Sequence, residues 1–307
     1  MTDQKIKVIG VVGPTASGKS SLALMLAKEL DGEIVSCDSM QIYRGMDIGT
    51  AKASKIEQNE IKHHMIDIAD PDENWSLVDF AAAAHRCIAD IAARGKLPVL
   101  CGGTGLYMDN ILFDTALSEA PGDPSYRQSL CALSCEDLHA MLLKVDDASA
   151  RAIHPNNRRR VIRALEIYHA TGKTKTEWDA ASRVKISRYE SILLGLRASD
   201  RAYLYERIER RVDEMVANGL IKEVNRLAPN LGGTAAQAIG YKEILCGIRG
   251  QCTMEQAISD LKTATKRYAK RQMTWFQNNP SIHWLDICGS TQETLLAESR
   301  MLLKDFL

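Results

Sequence analysis

The stretch GVVGPTASGKSSLA (residues 10–23) decides how the chain is read. Its spacing fits GxxxxGK[ST], with Gly13, Gly18, Lys19 and Ser20 on the fixed positions. In such a loop glycine removes the side chain that would block a phosphate, so backbone N–H groups can point at its oxygens. The helix that follows presents its positive N-terminal end to the same anion. Lys19 would reach the outer phosphates and the Ser20 hydroxyl would ligate magnesium. The flanks agree: KVIGVVG (7–13) is a short β-branched run ending in glycine, and KSSLALMLAKEL (19–30) carries apolar residues at helical spacing.

Moving outward, GEIVSCDS (32–39) reads as a second strand ending in a carboxylate, SLVDFAAAAHRCIADIAARG (76–95) as a long helix closed by glycine, and LPVLCGGTGLY (97–107) as a further buried strand. Strands alternating with helices predict an α/β fold, a P-loop-type parallel sheet flanked by helices, with ligands beyond the carboxyl ends of the strands. Asp38 and the turn from Gly102 to Gly105 both fall at such ends. From about residue 116 the period becomes helical with no convincing strand, and strand character returns at ISRYESILLGLRAS (186–199). The expected organisation is a catalytic core from 1–115 and 186–307, and a helical insertion domain over 116–185. Asp200 is placed to cap a helix that ends at Gly219, and SIHWLDI (281–287) to add a last strand.

With 307 residues, 45% apolar and 25% charged, the composition is that of a folded globular chain. Lys plus Arg equals Asp plus Glu at 39 each, so any polyanion partner must be met by local clusters rather than by net charge. The N-terminal apolar run is short and broken by glycines, which predicts neither a secretion signal nor a membrane span and makes the cytoplasm the expected location. None of the eight cysteines forms a CxxC pair. Cys131, Cys135 and His139 recur at i, i+4, i+8 and would share one helical face as metal ligands, but a fourth ligand is missing and cysteine is also a common small buried residue.

A phosphate cradle by itself fits nucleoside triphosphatases, kinases, or an enzyme whose substrate merely ends in pyrophosphate. VLCGG does not end in the aspartate that a Walker B strand supplies, which weakens the motor-ATPase reading. Asp38, in SCDSMQIYRGMDIGTAK, can be a general base, a magnesium ligand or a cap. Thr104 offers a hydroxyl on a turn whose glycines allow close backbone approach, or serves turn chemistry alone. Basic residues cluster at Arg158–Arg160 with Arg163, at Arg207, Arg210 and Arg211, and at Lys262, Lys266 and Lys270 with Arg267 and Arg271. The last five would form a positive stripe with Tyr268, Trp275 and Phe276 interleaved. A solvated helical face explains any one run; three runs beside a helical insertion point to RNA.

Taken together, GPTASGKS (13–20), DSMQIYRGMDIGTAK (38–52), HHMIDIADP (63–71), GGTGLY (102–107), HPNNRRRVIRALEIYHATGKT (154–174), AIGYKE (238–243) and KRYAKRQMTWF (266–276) resemble the tRNA dimethylallyltransferases, also called tRNA isopentenyltransferases, in the family's order and over most of the chain. The resemblance implies transfer of a dimethylallyl group from dimethylallyl pyrophosphate to N6 of the adenosine 3′ to the anticodon, with magnesium. It implies that Gly13, Pro14, Thr15, Ala16, Ser17, Gly18, Lys19 and Ser20, with Arg211, hold the pyrophosphate, that Asp38 accepts the amine proton, and that Thr104 helps orient it. It further implies tRNA contacts from Asp38, Ser39, Met40 and Gln41; from Arg159, Arg160, Val161, Ile162 and Arg163; from Gln237, Ala238, Ile239, Gly240, Tyr241 and Lys242; and from Lys270, Arg271, Gln272, Met273, Thr274, Trp275, Phe276 and Gln277, with Arg127 near the substrate entrance. The insertion would grip the anticodon stem-loop, and a monomer is expected. GGTAAQ before AIGYKE departs from relatives, which more often carry an arginine there. The sequence to Leu307 lacks the Cys/His zinc module of longer eukaryotic relatives, so the resemblance implies a bacterial-type enzyme. The competing readings are a P-loop small-molecule kinase and a non-catalytic RNA-binding protein.

Overall fold

The computed structural model describes residues 5–114, 123–181 and 186–307, and the chain divides into two compact units, one of residues up to Leu112 together with Arg188–Leu307, the other Phe113–Ser187. The joints expected at 115/116 and 185 lie outside the described residues.

The first unit is built on strands β1 (Lys7–Val12), β2 (Gly32–Ser36), β3 (His63–His64) and β4 (Leu97–Gly102), with helices α1 (Lys19–Glu29), α2 (Lys55–Glu60), α3 (Leu77–Ala93) and α4 (Gly105–Leu112) between and after them. The second unit holds β5 (Phe113–Asp114), α5 (Pro124–Cys131), α6 (Cys135–Val145), α7 (Asp147–Ala152), α8 (Arg158–Thr171), α9 (Lys175–Ala181) and β6 (Ile186–Ser187). The chain then re-enters the first unit through β7 (Glu190–Arg197), α10 (Arg201–Ala217), α11 (Leu220–Leu227), α12 (Tyr241–Ile248), α13 (Met254–Phe276), β8 (Ile282–Asp286) and α14 (Gln292–Leu303).

Six strands form one sheet in the order β3-β2-β4-β1-β7-β8, every pairing parallel. Such a sheet is covered on both faces, which is why β1 is apolar at nearly every position instead of alternating: Val8, Ile9, Val11 and Val12 are fully buried. One core packs Ile9 and Val11 against Leu22, Ala23, Leu26 and Ala27 of α1. The chain passes from β1 to one side of the sheet and returns on the other at β7, so β1 marks the point where strand order reverses and a ligand crevice opens. Asp200 does cap α10, accepting from the Ala202 amide at 2.8 Å.

The second unit has its own core, in which Val161, Ile162, Ala164 and Leu165 of α8 meet Leu130, Leu138, Leu142, Ala150 and Ile153. β5 and β6 pair antiparallel. Cys131 ends α5 and Cys135 begins α6, so these two cysteines and His139 do not share one helical face, because Asp123 and Ser134 each cap a separate helix. His139 instead bonds the Ala150 carbonyl through Nε2 at 2.9 Å. Among the described residues no helix is long and apolar enough to cross a membrane.

Candidate active site

The site begins where β1 ends. Gly13 has φ +147° and Gly18 φ +92°, and a Cβ on Gly13 would lie 2.7 Å from the Leu196 carbonyl oxygen, so the turn out of β1 accepts only glycine there. Ala16 also has positive φ, at 62°, and its carbonyl is held by Nε of Arg207 at 2.8 Å. Gly18 supplies no side-chain cap to α1, and among the described residues no protein acceptor meets the amides of Gly18, Lys19 and Ser20. Open amides at a helix N-terminus are an anion site. The loop is braced from α13: the Thr15 amide donates to Oε1 of Gln272 at 2.8 Å, while Nε2 of Gln272 donates to the Gly103 carbonyl at 2.9 Å.

Lys19 and Arg211 face this loop without a carboxylate in ion-pair distance among the described residues. Burial pulls the Lys19 ammonium below the ordinary lysine range, against the opposing pull of Cys101, and the charge of Arg211 pulls it further down while Asp38 opposes. Burial likewise disfavours the Arg211 cation, with Asp38 again opposing. Two desolvated cations beside open amides form an environment that an anion relieves. Ser20, exposed at the first turn of α1, lies on the same wall.

A cavity of about 350 Å³ extends from Lys19, Ser20 and Thr15 past Asp38, Ser39, Met40 and Gln41 to Gly49–Ala51, Gln237–Ile239, Tyr268 and Arg271. Asp38 lies two residues beyond the end of β2, and its Oδ1 accepts the Met40 amide at 2.9 Å, which leaves its other oxygen for the cavity. Gln41 is fixed by the Ser36 hydroxyl at 2.8 Å and by its own Nε2 donating to the Thr50 carbonyl at 3.2 Å. Burial, with Asp38 adding to it, pushes the Tyr268 phenol up to about 12, so it stands protonated as a donor. Thr104 does not line the cavity; its Oγ1 lies 3.5 Å from Tyr268 Oη, and its carbonyl starts α4. The glycines around it have a packing reason, since a Cβ on Gly103 would collide with Gln272 and one on Gly105 with the Trp275 indole.

The residues implied as tRNA contacts divide by burial. Arg159 and Arg160 are exposed on α8, and Lys242, Lys270, Arg271, Thr274, Trp275 and Gln277 are exposed on the core; Met273 is half-buried. Val161 and Ile162 are core residues of the second unit, placed inward by the period of α8, and do not face a partner. Tyr241 and Phe276 are buried in the first unit for the same reason, and Gly240 serves as the N-cap of α12. Gln272 is a buried brace, and Ala238 contributes wall. Arg127 pairs with Glu166 at 3.1 Å, with Arg163 3.8 Å from the same carboxylate. The stripe on α13 is only partly open, because Lys262 pairs with Asp213 at 2.6 Å and Lys266 with Glu209, both from α10.

The hold of Arg207 on the Ala16 carbonyl and the bracing role of Gln272 have no local signature in the sequence. Arg207 stands one helical turn before Arg211, which was the available signal.

Among the described residues no group of three His, Cys, Asp or Glu side chains could cage a metal. The donors that are present, the Ser20 hydroxyl and the Asp38 carboxylate beside an anion loop, fit a magnesium ion that is shared with phosphate oxygens and water.

A strand, a glycine loop open at a helix N-terminus, two half-buried cations and an adjoining cavity with one carboxylate are set on an α/β fold whose central parallel sheet is flanked by helices. Residues 41–279 match the family model described as IPP transferase, and the chain belongs to that family. That match begins after the loop and Asp38, whose reading therefore rests on their own geometry and on longer similarities. A protein from Anoxybacillus flavithermus named tRNA dimethylallyltransferase is 48% identical over 287 residues, 93% of this chain and 92% of that protein. One of the same name from Geobacillus thermodenitrificans is 49% identical, covering 92% of this chain and 90% of its own. Among solved structures, the full-length tRNA isopentenylpyrophosphate transferase of Bacillus halodurans is similar with TM-score 0.74 and 43% identity over 98% of this chain and 96% of that one. A eukaryotic dimethylallyltransferase acting on tRNA gives TM-score 0.83 at 29% identity over 98% and 79%.

Proposed function

We propose that the chain is a tRNA dimethylallyltransferase, moving the dimethylallyl group of dimethylallyl pyrophosphate to N6 of the adenosine 3′-adjacent to the anticodon. The observation that carries this is the juxtaposition, around one cavity, of the anion loop with Lys19 and Arg211 at one end and the Asp38 carboxylate beside it.

In this reading the amides of Gly18, Lys19 and Ser20 hold the pyrophosphate, and Lys19 and Arg211 offset the charge that grows on it as the allylic C–O bond breaks. Magnesium, when bound at Ser20 and the phosphates, supplies further neutralisation of the leaving group. The N6 lone pair forms the new C–N bond, and Asp38 accepts the proton that the amine must lose. Tyr268, with Thr104 beside it, offers a hydroxyl donor on the cavity lining. The target base must leave its stack to reach the cavity, which costs a few kcal/mol that contacts to neighbouring nucleotides offset. Asp38–Gln41, Gln237–Ile239, Arg271 and Trp275 supply candidate contacts on the core, and Arg159 and Arg160 on the insertion. The chain works as a monomer in the cytoplasm within this proposal.

The test is incubation with magnesium, dimethylallyl pyrophosphate and unmodified tRNA, followed by nucleoside mass measurement. A gain of one five-carbon prenyl unit on adenosine supports the reading. No gain, with transfer of a labelled ATP γ-phosphate to a small molecule instead, replaces it with a kinase.

A further inference from the structure

Glu223 on α11 is only 6% exposed and has no role so far. Its Oε2 accepts the amides of Asp47 at 3.1 Å and Ile48 at 2.8 Å, and its Oε1 accepts the Gly49 amide at 3.0 Å and the Tyr241 hydroxyl at 2.5 Å. Three successive amides converging on one anion form a nest, and the carboxylate is an internal anion filling it. A carboxylate is acceptor-only with about four lone-pair sites, so all four donors are needed and all four are present. A neutral amide of the same shape would turn an NH2 toward donors on one side.

The two elements that Glu223 joins adjoin each other where the chain lines the cavity. Gly49, Thr50 and Ala51 continue directly from the nest and line it, and the Thr50 carbonyl holds Gln41 beside Asp38. Tyr241 follows the Gln237–Ile239 wall, and a Cβ on Gly49 would come within 2.5–3.0 Å of its ring, so the ring lies flush on the loop. We infer that Glu223 is a positioning residue that fixes the Gly49–Ala51 wall against the segment carrying Gln237–Ile239, and with it the fit of both substrates. This rests on the proposed transferase reading.

The test compares Glu223→Gln and Tyr241→Phe with the wild-type chain in prenyl transfer. In Glu223→Gln, kcat/KM falls at least about tenfold, almost all in the KM for dimethylallyl pyrophosphate and tRNA, with kcat little changed, as expected for lost binding geometry and not lost chemistry. Tyr241→Phe shifts the same constants less, and the double variant is no worse than Glu223→Gln alone. KM values unchanged in both variants, or a fall in kcat at unchanged KM, overturn the inference. Should Glu223→Gln not fold, Tyr241→Phe decides by the same criterion. Amide hydrogen exchange at residues 47–49 in the substrate-free protein gives an independent arm: it speeds up in Glu223→Gln if the clamp is real, and unchanged exchange overturns it. A wild-type chain that transfers no prenyl group refutes the transferase reading instead, and the exchange arm still reads the clamp.

Discussion

Gln272, near the end of α13, accepts the backbone amide of Thr15 in the glycine loop at 2.8 Å. Its other amide atom is spent on the Gly103 carbonyl, so one buried side chain ties the glycine loop, the GGTG turn and the helix bearing Lys270 and Arg271. The geometry of the loop therefore depends on a residue more than 250 positions away.

Replacing Gln272 by Leu removes both bonds and strands a half-buried N–H and a buried carbonyl. The expected loss is about 1–3 kcal/mol of stability, with a rise in the KM for the pyrophosphate substrate because Thr15 shifts. Denaturant titration and steady-state kinetics measure the two, and a variant equal to wild type in both would show that the brace is dispensable.

Asp38→Asn keeps an acceptor for the Met40 amide and removes the base. Single-turnover prenyl transfer should slow by about 10²–10⁴, the range for a positioned proton acceptor, while tRNA affinity changes little. An undiminished single-turnover rate would take Asp38 out of the chemistry.

Lys270 is exposed and has no carboxylate in ion-pair distance among the described residues, whereas Lys266 is bound to Glu209. Lys270→Gln should reduce the slope of log K against log salt for tRNA binding by about 1, one phosphate contact fewer. Lys266→Gln should leave the slope nearly as it was. The reverse pattern would mean that the ion pair opens in the complex.

The Arg94 guanidinium beside Glu33, helped by His64 on the same carboxylate and opposed by burial, holds the Glu33 carboxyl down to about 2. A folded-state value below the unfolded one means that the stabilisation is complete above about pH 4.5 and is lost as pH falls through that range toward 2. Denaturant titrations from pH 6 to 2.5, a window chosen about those values, should show a steepening loss that Glu33→Gln flattens. Parallel curves for the two proteins would remove Glu33 as the cause.

The strand, loop and helix at 7–30 were legible because each rests on local chemistry: β-branched residues, glycines where φ turns positive, and apolar spacing of one period. The same holds for the re-entry at β7 and the capping by Asp200. The site was legible only in part. Reading a run such as Arg159–Arg163 as one contact surface ignores that successive residues of a helix face different ways, so Val161 and Ile162 went to the core while Arg159 and Arg160 stayed outside. The glycines at 103 and 105, read as allowing close backbone approach, leave room for the side chains of Gln272 and Trp275.

By itself the sequence determined the strand, glycine loop and helix at 7–30, the alternation that makes a parallel sheet, and the presence of a carboxylate just past β2, since these depend on residues a few positions apart. Only the tertiary structure decided that Arg211 and Lys19 share one desolvated end of a cavity, that Lys262 and Lys266 are neutralised by α10, and that Glu223 clamps the loop at 47–49. Each of those is a pairing between distant segments, and pairing is fixed by which helix faces pack and which donors burial leaves in need of an acceptor, which no local pattern encodes.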